Sequence, residues 1–382
     1  MGQRQAAGTV LAGSCALVLA MFLSACTPPS KGTVVNASRD DRASFGSVKI
    51  PGKALRAPDA IAVAGNRVWV ANSRYLADGG GGWITELSAK TGALIRVISA
   101  RRDKLTDPEA VAVAGNRVWV VNSFGNSVTE LNASTGALVR VISAQRYQLS
   151  DPGAIATDGN SVWVASNGSD SVTEINASTG ALIRVISGKR YQLNSGGFTV
   201  SIAAAGHSVW VPSANGNAVT EINASTGALI RVISGRRYQF NDPIEIAASG
   251  DRVWVVSIGG ASGGSVTEIN AETCALMRVI PSLPNVAFAI TTAGAGVWLV
   301  TNVGVKAADG AGPHGSVTEL SAASGSLIRN IARPPFQASS PGGAIAADGT
   351  HIWVAETDYY SAGGWVAELS ALSGALVRVI SG

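Results

Sequence analysis

Seven glutamates stand in register along this 382-residue chain: Glu86, Glu130, Glu174, Glu221, Glu268, Glu319 and Glu368. An arginine follows each by ten residues: Arg96, Arg140, Arg184, Arg231, Arg278, Arg329 and Arg378. Carboxylate and guanidinium at a fixed offset make a charge-assisted pair. Seven identical copies point to strand register, not to one active site. Residues that occur once are better candidates for chemistry. They fall in three groups: Tyr75, Asp78 and Trp83; Lys306, Asp309 and His314; Glu356, Asp358, Tyr359, Tyr360 and Trp365. Aromatics beside carboxylates suit a sugar, a peptide or a cationic ligand. The candidate ligand-binding set is Tyr75, Asp78, Trp83, His314, Glu356, Asp358, Tyr359, Tyr360 and Trp365.

Catalytic signatures are missing. The histidines are His207, His314 and His351, and no His or Cys cluster has metal-ligand spacing. No glycine-rich phosphate loop leads from a strand into a helix. No catalytic residue, metal or cofactor is therefore assigned, and binding is favoured over catalysis. A net charge of +4 with 14% charged residues gives no dense basic stripe, so nucleic acid is not an expected partner. One arc sets basic residues beside apolar or aromatic ones four times, at Arg101 to Leu105, Gln145 to Leu149, Lys189 to Leu193 and Arg236 to Phe240. Anionic polymers or lipid headgroups fit such an arc, and so does plain repeat copying. Asp59, Glu109 and Glu245 fall at the start of an Ala-rich segment. Cys274 sits alone at a turn position that is Gly in the other six repeats.

These residues hang on a repeat. Trp69, Trp119, Trp163, Trp210, Trp254, Trp298 and Trp353 follow a Val or Ile at spacings of 50, 44, 47, 44, 44 and 55. In the second repeat, short runs at 109–115, 117–122, 127–132 and 137–143 are separated by Gly, Asn and Ser clusters. Four such strands make one antiparallel blade, and a period near 45 makes a closed array. The chain is predicted to be an all-β, seven-bladed β-propeller, with the Ala-rich strand innermost and Trp packing blade on blade. Pairing Glu130 with Arg140 predicts a three-residue hairpin loop, Ser134 to Gly136, ending on a left-handed Gly. The Glu–Arg pairs are expected at the outer edge, where charge discourages edge-to-edge association.

The Trp-to-Glu distance measures the loop between the second and third strands. It is 17, 11, 11, 11, 14, 21 and 15 in repeats one to seven. A ring joins repeat seven to repeat one, so the four elaborated loops form one contiguous sector. That sector holds the candidate set, with Trp83 and Trp365 standing where other repeats carry Ser or Ala. Loops held by a rigid scaffold are where binding usually resides.

The N-terminus reads as export. Residues 1–25 carry Arg4 and an apolar run from Thr9 to Phe22, then Leu23-Ser24-Ala25-Cys26. Those four residues resemble a bacterial lipobox, which implies lipidation of Cys26. Residues 26–45, rich in Pro, Ser, Gly, Asn and charge, read as a flexible tether, and 46–382 as the propeller. Ser47 to Ile50 is strand-like and is expected to add beside Leu376–Ser381 and help latch the ring. The expected place is the cell envelope, anchored on the outer side of the cytoplasmic membrane, with an extracellular ligand or protein as partner.

The repeat Pro-x-Ala-Ile-Ala, Val-Trp-Val-x-Asn, Ser-Val-Thr-Glu-Leu-Asn-Ala-Ser-Thr-Gly resembles the YVTN/NHL-type bacterial β-propeller repeat across 58–382. Relatives implied by that resemblance include envelope binding proteins, sensor domains and virginiamycin B lyases. A lyase of that type needs a base and a metal, for which only His314 with Glu356 or Asp358 is on offer. The hairpin Leu87 to Gly92 also resembles repeats of quinone-dependent dehydrogenases. Those carry Trp after Thr-Gly, whereas this chain has Ala-Leu, so no quinone is expected.

Overall fold

Seven four-stranded antiparallel sheets form the ring, each ordered from the centre outward as strands A, B, C and D. The computed structural model describes residues 45–73, 81–99, 104–143, 145–194, 196, 201–259, 264–281, 286–302, 315–332, 343–358 and 363–382. Blade 1 runs Pro58–Ala64, Arg67–Asn72, Trp83–Ser88 and Leu94–Ser99. The inner strands of blades 2 to 7 are Pro108–Ala114, Pro152–Thr157, Ala203–Ala205, Pro243–Ser249, Val286–Ala293 and Ala344–Ala347. Small Ala side chains let these strands crowd round the axis. Among the described residues no helix is long and apolar enough to cross a membrane.

The hydrophobic cores lie between blades. Trp119 packs with Val162, Val164 and Ile175 of blade 3, and Trp163 with Val209, Val211 and Ile222 of blade 4. Trp353 packs with Ile61, Val68 and Val70 of blade 1, which closes the ring. All seven repeated tryptophans are buried. Both faces of strands B and C are therefore interior, and the buried runs of these strands are continuous instead of alternating.

That burial corrects the expectation for the Glu–Arg pairs. The register is as expected, Glu86 opposite Arg96 and so on through Glu368 opposite Arg378. The glutamates, however, are buried inside the interface. Each Oε2 meets the Arg Nε of strand D, at 2.6–3.1 Å in blades 1 to 6. Each Oε1 faces the first residue of strand B, which is Arg67, Arg117, Ser161, Ser208, Arg252 or His351. In blade 6 that residue is Gly296 and brings no side chain.

The arginines then reach across to the next blade. Arg96 donates to the Ser134 carbonyl at 3.0 Å, Arg184 to Ser225 at 3.1 Å, and Arg278 to Ala323 at 2.8 Å. Arg378 of blade 7 donates to the Lys90 carbonyl of blade 1 at 3.0 Å. Each of these four guanidinium groups thus ties a buried carboxylate to a neighbouring turn. The turn Gly makes room: a Cβ on Gly136 would sit 2.7 Å from Arg96 Cδ, and one on Gly227 would sit 2.4 Å from Arg184 Cδ.

The C–D hairpin departs from the three-residue loop. Glu130 does pair with Arg140, but the register then shifts so that Leu131 faces Leu138. The loop becomes Ala133 to Gly136, closed by Asn132 N–H on the Ala137 carbonyl at 2.8 Å. The Asn132 side chain drives this, its Oδ1 accepting from the N–H of Ser134 and Thr135 at 3.0 and 2.9 Å. Gly136 has φ 71, the left-handed residue expected. Cys274 takes the same conformation, φ 55, and donates Sγ–H to Glu221 Oε2 at 3.2 Å. Burial and that carboxylate push its thiol up to about 12, so it is inert as a nucleophile.

The N-terminal segment latches the ring as a fifth strand. Gly46–Lys49 pairs parallel with Leu376–Ser381, Gly46 opposite Arg378 and Lys49 opposite Ser381. Beyond it, Ile50, Ala54 and Leu55 are buried in the core between blades 7 and 1. The Ala54 carbonyl accepts from Trp83 Nε1 at 3.0 Å and from Thr85 Oγ1.

Candidate functional site

The B–C and D–A connections share one face, the top. In blades 2 to 4 the B–C turns are copies of one another. Asn126, Asp170 and Asn217 hold φ of 44, 46 and 46, and their N–H groups return to the carbonyls of Ser123, Asn167 and Ala214. Such turns offer little individuality. Blade 7 instead lengthens both strands, His351–Asp358 and Gly363–Ser370, eight residues each. The added pairs are Thr357 with Gly364 and Asp358 with Gly363, beyond Glu356 with Trp365, which stands where blade 1 pairs Asn72 with Trp83.

The structure therefore brings two of the candidates together, Glu356 and Trp365, side by side on one face of this hairpin. Trp365 is not the exposed aromatic its loop position suggests. It is 7% exposed and packs against Trp298, Val300 and Val317 of blade 6. Trp83 is half-buried, opposite Asn72, with its indole N–H held by Ala54. Asp358 ends strand B. Tyr75, Asp78, His314, Tyr359 and Tyr360 lie outside the described residues, as do Lys306, Asp309 and Cys26.

Glu356 is the unusual group. Other blades carry Asn72, Asn122, Ser166, Ser213, Ser257 or Thr301 at this place, three residues after the Trp. In blades 1 and 2 that Asn bonds a strand-C threonine: Asn72 to Thr85 at 3.1 Å, and Asn122 to Thr129 at 2.9 Å. Blade 7 puts Ala367 where the threonine stands. Glu356 is fully buried and its Oε2 has no hydrogen-bond partner among the described residues. It lies against Gly343, just before the inner strand, where a Cβ would come within 2.7 Å of its Cγ. Burial holds its carboxyl well above the ordinary range. Comparing the seven repeats at two positions, Glu356 and Ala367, was the sequence signal that could have singled it out.

The inner strands add further carboxylates. Asp59 faces water but is ringed by protein, and burial raises it to about 6, with Ser73 opposing the rise. Glu245 is half-buried beside Ser201 and is raised to about 8, again by burial. Asp107 is raised by burial and by the charge of Asp151. Among the described residues no three His, Cys, Asp or Glu side chains stand close enough to hold a metal ion.

These carboxyls make stability pH-dependent. A carboxyl raised from 4.5 to about 8 stays protonated in the folded state while the unfolded chain ionises. Its contribution is complete below about pH 4.5 and is lost as pH rises to about 8. Denaturant midpoints measured from pH 5 to about 8.5 should fall with pH in the native chain, and Glu245→Gln should flatten that fall. An unchanged slope would place Glu245 in open solvent.

Comparison with known proteins reaches the fold alone. No protein-family description and no curated protein sequence matches the chain. Among solved structures it is similar to hydrazine synthase of Kuenenia stuttgartiensis, TM-score 0.56 at 17% identity, over 69% of this chain and 76% of that one. It is also similar to BamB of Moraxella catarrhalis, TM-score 0.48 at 16% identity, over 77% of this chain and 81% of that one. At such identities a shared propeller carries no activity across.

Proposed function

We propose that this chain is a lipid-anchored envelope propeller of the YVTN/NHL type that binds a ligand or partner on the top face of blades 5, 6, 7 and 1. One observation carries the reading. Blades 2 to 4 keep similar tight turns, whereas blade 7 builds a longer hairpin and buries beside Trp365 a carboxylate whose Oε2 has no hydrogen-bond partner among the described residues. Folding alone does not call for that difference, because a buried acid with an unsatisfied oxygen is destabilising. The binding set remains Tyr75, Asp78, Trp83, His314, Glu356, Asp358, Tyr359, Tyr360 and Trp365, with Glu356 and Trp365 shaping its floor. The anchor is Cys26, supported by the lipobox resemblance of Leu23 to Cys26.

Two experiments test this. Cys26→Ser should release the protein from the membrane fraction, because anchoring needs the lipid; retention in that fraction would refute the anchor. Thermal-shift screening with sugars, peptides and amines should find a stabilising ligand. For any hit, Trp83→Ala and Tyr359→Ala should weaken binding by about 2 kcal/mol. Trp365→Ala should lower the melting temperature as well, given its burial.

A second reading is a top-face lyase or hydrolase. The raised carboxyl of Glu356 favours it, since a general acid needs such a shift. Turnover of the bound ligand that is lost in Glu356→Gln and His314→Ala and depends on divalent metal would establish it over simple binding.

A further inference from the structure

The outer strands of the blades are sheet edges, and they are not alike. Blade 7 has its edge covered, Gly46–Lys49 lying parallel on Leu376–Ser381. Ile50 N–H donates to the Ser381 carbonyl at 3.1 Å, and Lys49 Nζ donates to Ser381 Oγ at 2.8 Å. Backbone groups of a strand return to the same side every second residue, so Val379 faces the added strand as Ser381 does. The covered strand reads Leu-Val-Arg-Val-Ile-Ser. Blade 2 repeats that sequence at 138–143. Blades 1, 3 and 4 read Leu-Ile-Arg-Val-Ile-Ser at Leu94–Ser99, Leu182–Ser187 and Leu229–Ser234.

Among the described residues no fifth strand lies on the edges of blades 1 to 4. Ile95, Val139, Ile183 and Ile230 are exposed there, whereas Val377, at the same place under the added strand, is half-buried. The one charge on each strand, Arg96, Arg140, Arg184 or Arg231, is turned onto its glutamate and does not guard the edge. An edge strand with no free charge, proline or cover is a template for another strand. Blades 5 and 6 do differ at the edge. Pro281 stands where blade 7 has Ser381 and brings no N–H, and Asn330, a poor strand former, stands where blade 7 has Val379.

We infer that the outer strands of blades 1 to 4 are docking edges for an extended segment of a partner protein, added in parallel as Gly46–Lys49 is on blade 7. The seated strand shows what such an edge accepts. A small residue passes the arginine: a Cβ on Gly46 would sit 3.4 Å from Arg378 Cβ. A β-branched residue follows, Val48, which packs against the core between blades 7 and 1. A lysine then reaches the serine that ends the edge strand, a serine kept as Ser99, Ser143, Ser187 and Ser234. Main-chain bonds supply the affinity and the alternate side chains the choice of segment. A second copy pairing edge to edge is the poorer occupant. Four like edges on each ring would link rings into open arrays, whereas one added segment ends the sheet on a lysine-bearing strand, as in blade 7.

The probe is a fluorescent peptide of sequence Phe-Gly-Ser-Val-Lys-Ile, residues 45–50, titrated into the full chain up to millimolar concentration. Saturable binding is expected, with amide exchange slowed at 94–99, 138–143, 182–187 and 229–234 and unchanged at 276–281 and 327–331. The same peptide carrying Val48→Pro lacks the N–H that faces the edge. It should bind about fivefold to tenfold more weakly, the worth of one lost hydrogen bond. In the protein, Val185→Pro removes an N–H that faces outward and leaves the ladder to strand C intact. It should abolish slowing at Leu182–Ser187 alone, the other three edges reporting that the ring is folded. Absence of saturable binding, or equal binding of the two peptides, would overturn the proposal. So would slowing confined to Leu376–Ser381, which would mean exchange with the resident strand. Assemblies of the full chain that Val185→Pro disperses, with no peptide binding, would mark a second copy as the occupant and overturn it too. None of these results depends on a top-face ligand or on Cys26.

Discussion

Arg329→Ala should be the most damaging of the seven strand-D arginine substitutions, lowering stability by about 3–5 kcal/mol. Its carboxylate, Glu319, is buried, and Arg329 is the cation paired with it. In blades 1, 2 and 5 a second arginine, Arg67, Arg117 or Arg252, shares the load from strand B. Blade 6 has Gly296 at that position. Removing Arg329 therefore leaves an unpaired buried charge, whereas Arg96→Ala leaves Glu86 still paired with Arg67. Burial already raises Glu319 against the pull of Arg329, so its loss raises the carboxyl further. The deficit should be full at neutral pH and shrink as acid protonates Glu319. Chemical denaturation of the seven Arg→Ala variants gives the ranking. A flat ranking would mean that the pairs act singly at the surface, where such bridges contribute about 0–1 kcal/mol.

Leu55→Ala should cost about 2–5 kcal/mol, as core truncations do. This is a large effect for a residue that precedes the first blade. Leu55 is 0% exposed and shares a core with Ile61 and Val68 of blade 1 and Trp353 and Val366 of blade 7. That core is the seam where the two ends of the propeller meet, so the loss should come with faster opening at this seam. Hydrogen exchange should quicken first at Gly46–Lys49 and Leu376–Ser381. A loss spread evenly over the blades would show that the latch has no special place in holding the ring.

How much of this was legible differs by residue. The tryptophan, glutamate and arginine register gave the blade count and the strand pairing, because pairing is local and repeats seven times. The burial of the glutamates was hidden. A charged residue in a strand reads as surface unless both faces of the sheet are known to be covered, and that follows from stacking blades about an axis. The arginine-to-carbonyl bonds were hidden for a different reason. Their acceptors are backbone atoms some forty residues away, such as Ser134 O for Arg96, and a carbonyl leaves no mark in the sequence. The latch was visible as a strand at Ser47 to Ile50, one residue out from the observed Gly46–Lys49, but its parallel direction was not, since Val48 and Ile50 pattern the same way in either sense. In the candidate site, loop lengths located the sector. They could not show that blade 7 spends its extra residues on longer strands, nor that Trp365, at a ladder position shared with the other blades, packs into the blade 6 interface.

The central claim is that binding resides in the sector of blades 5, 6, 7 and 1. Hydrogen–deuterium exchange of the full chain, with and without a ligand found by thermal shift, tests it most directly. Protection is expected at 74–83, 303–314 and 356–365, with blades 2 to 4 unchanged. Protection confined to the B–C turns at Asn126, Asp170 and Asn217 would contradict it.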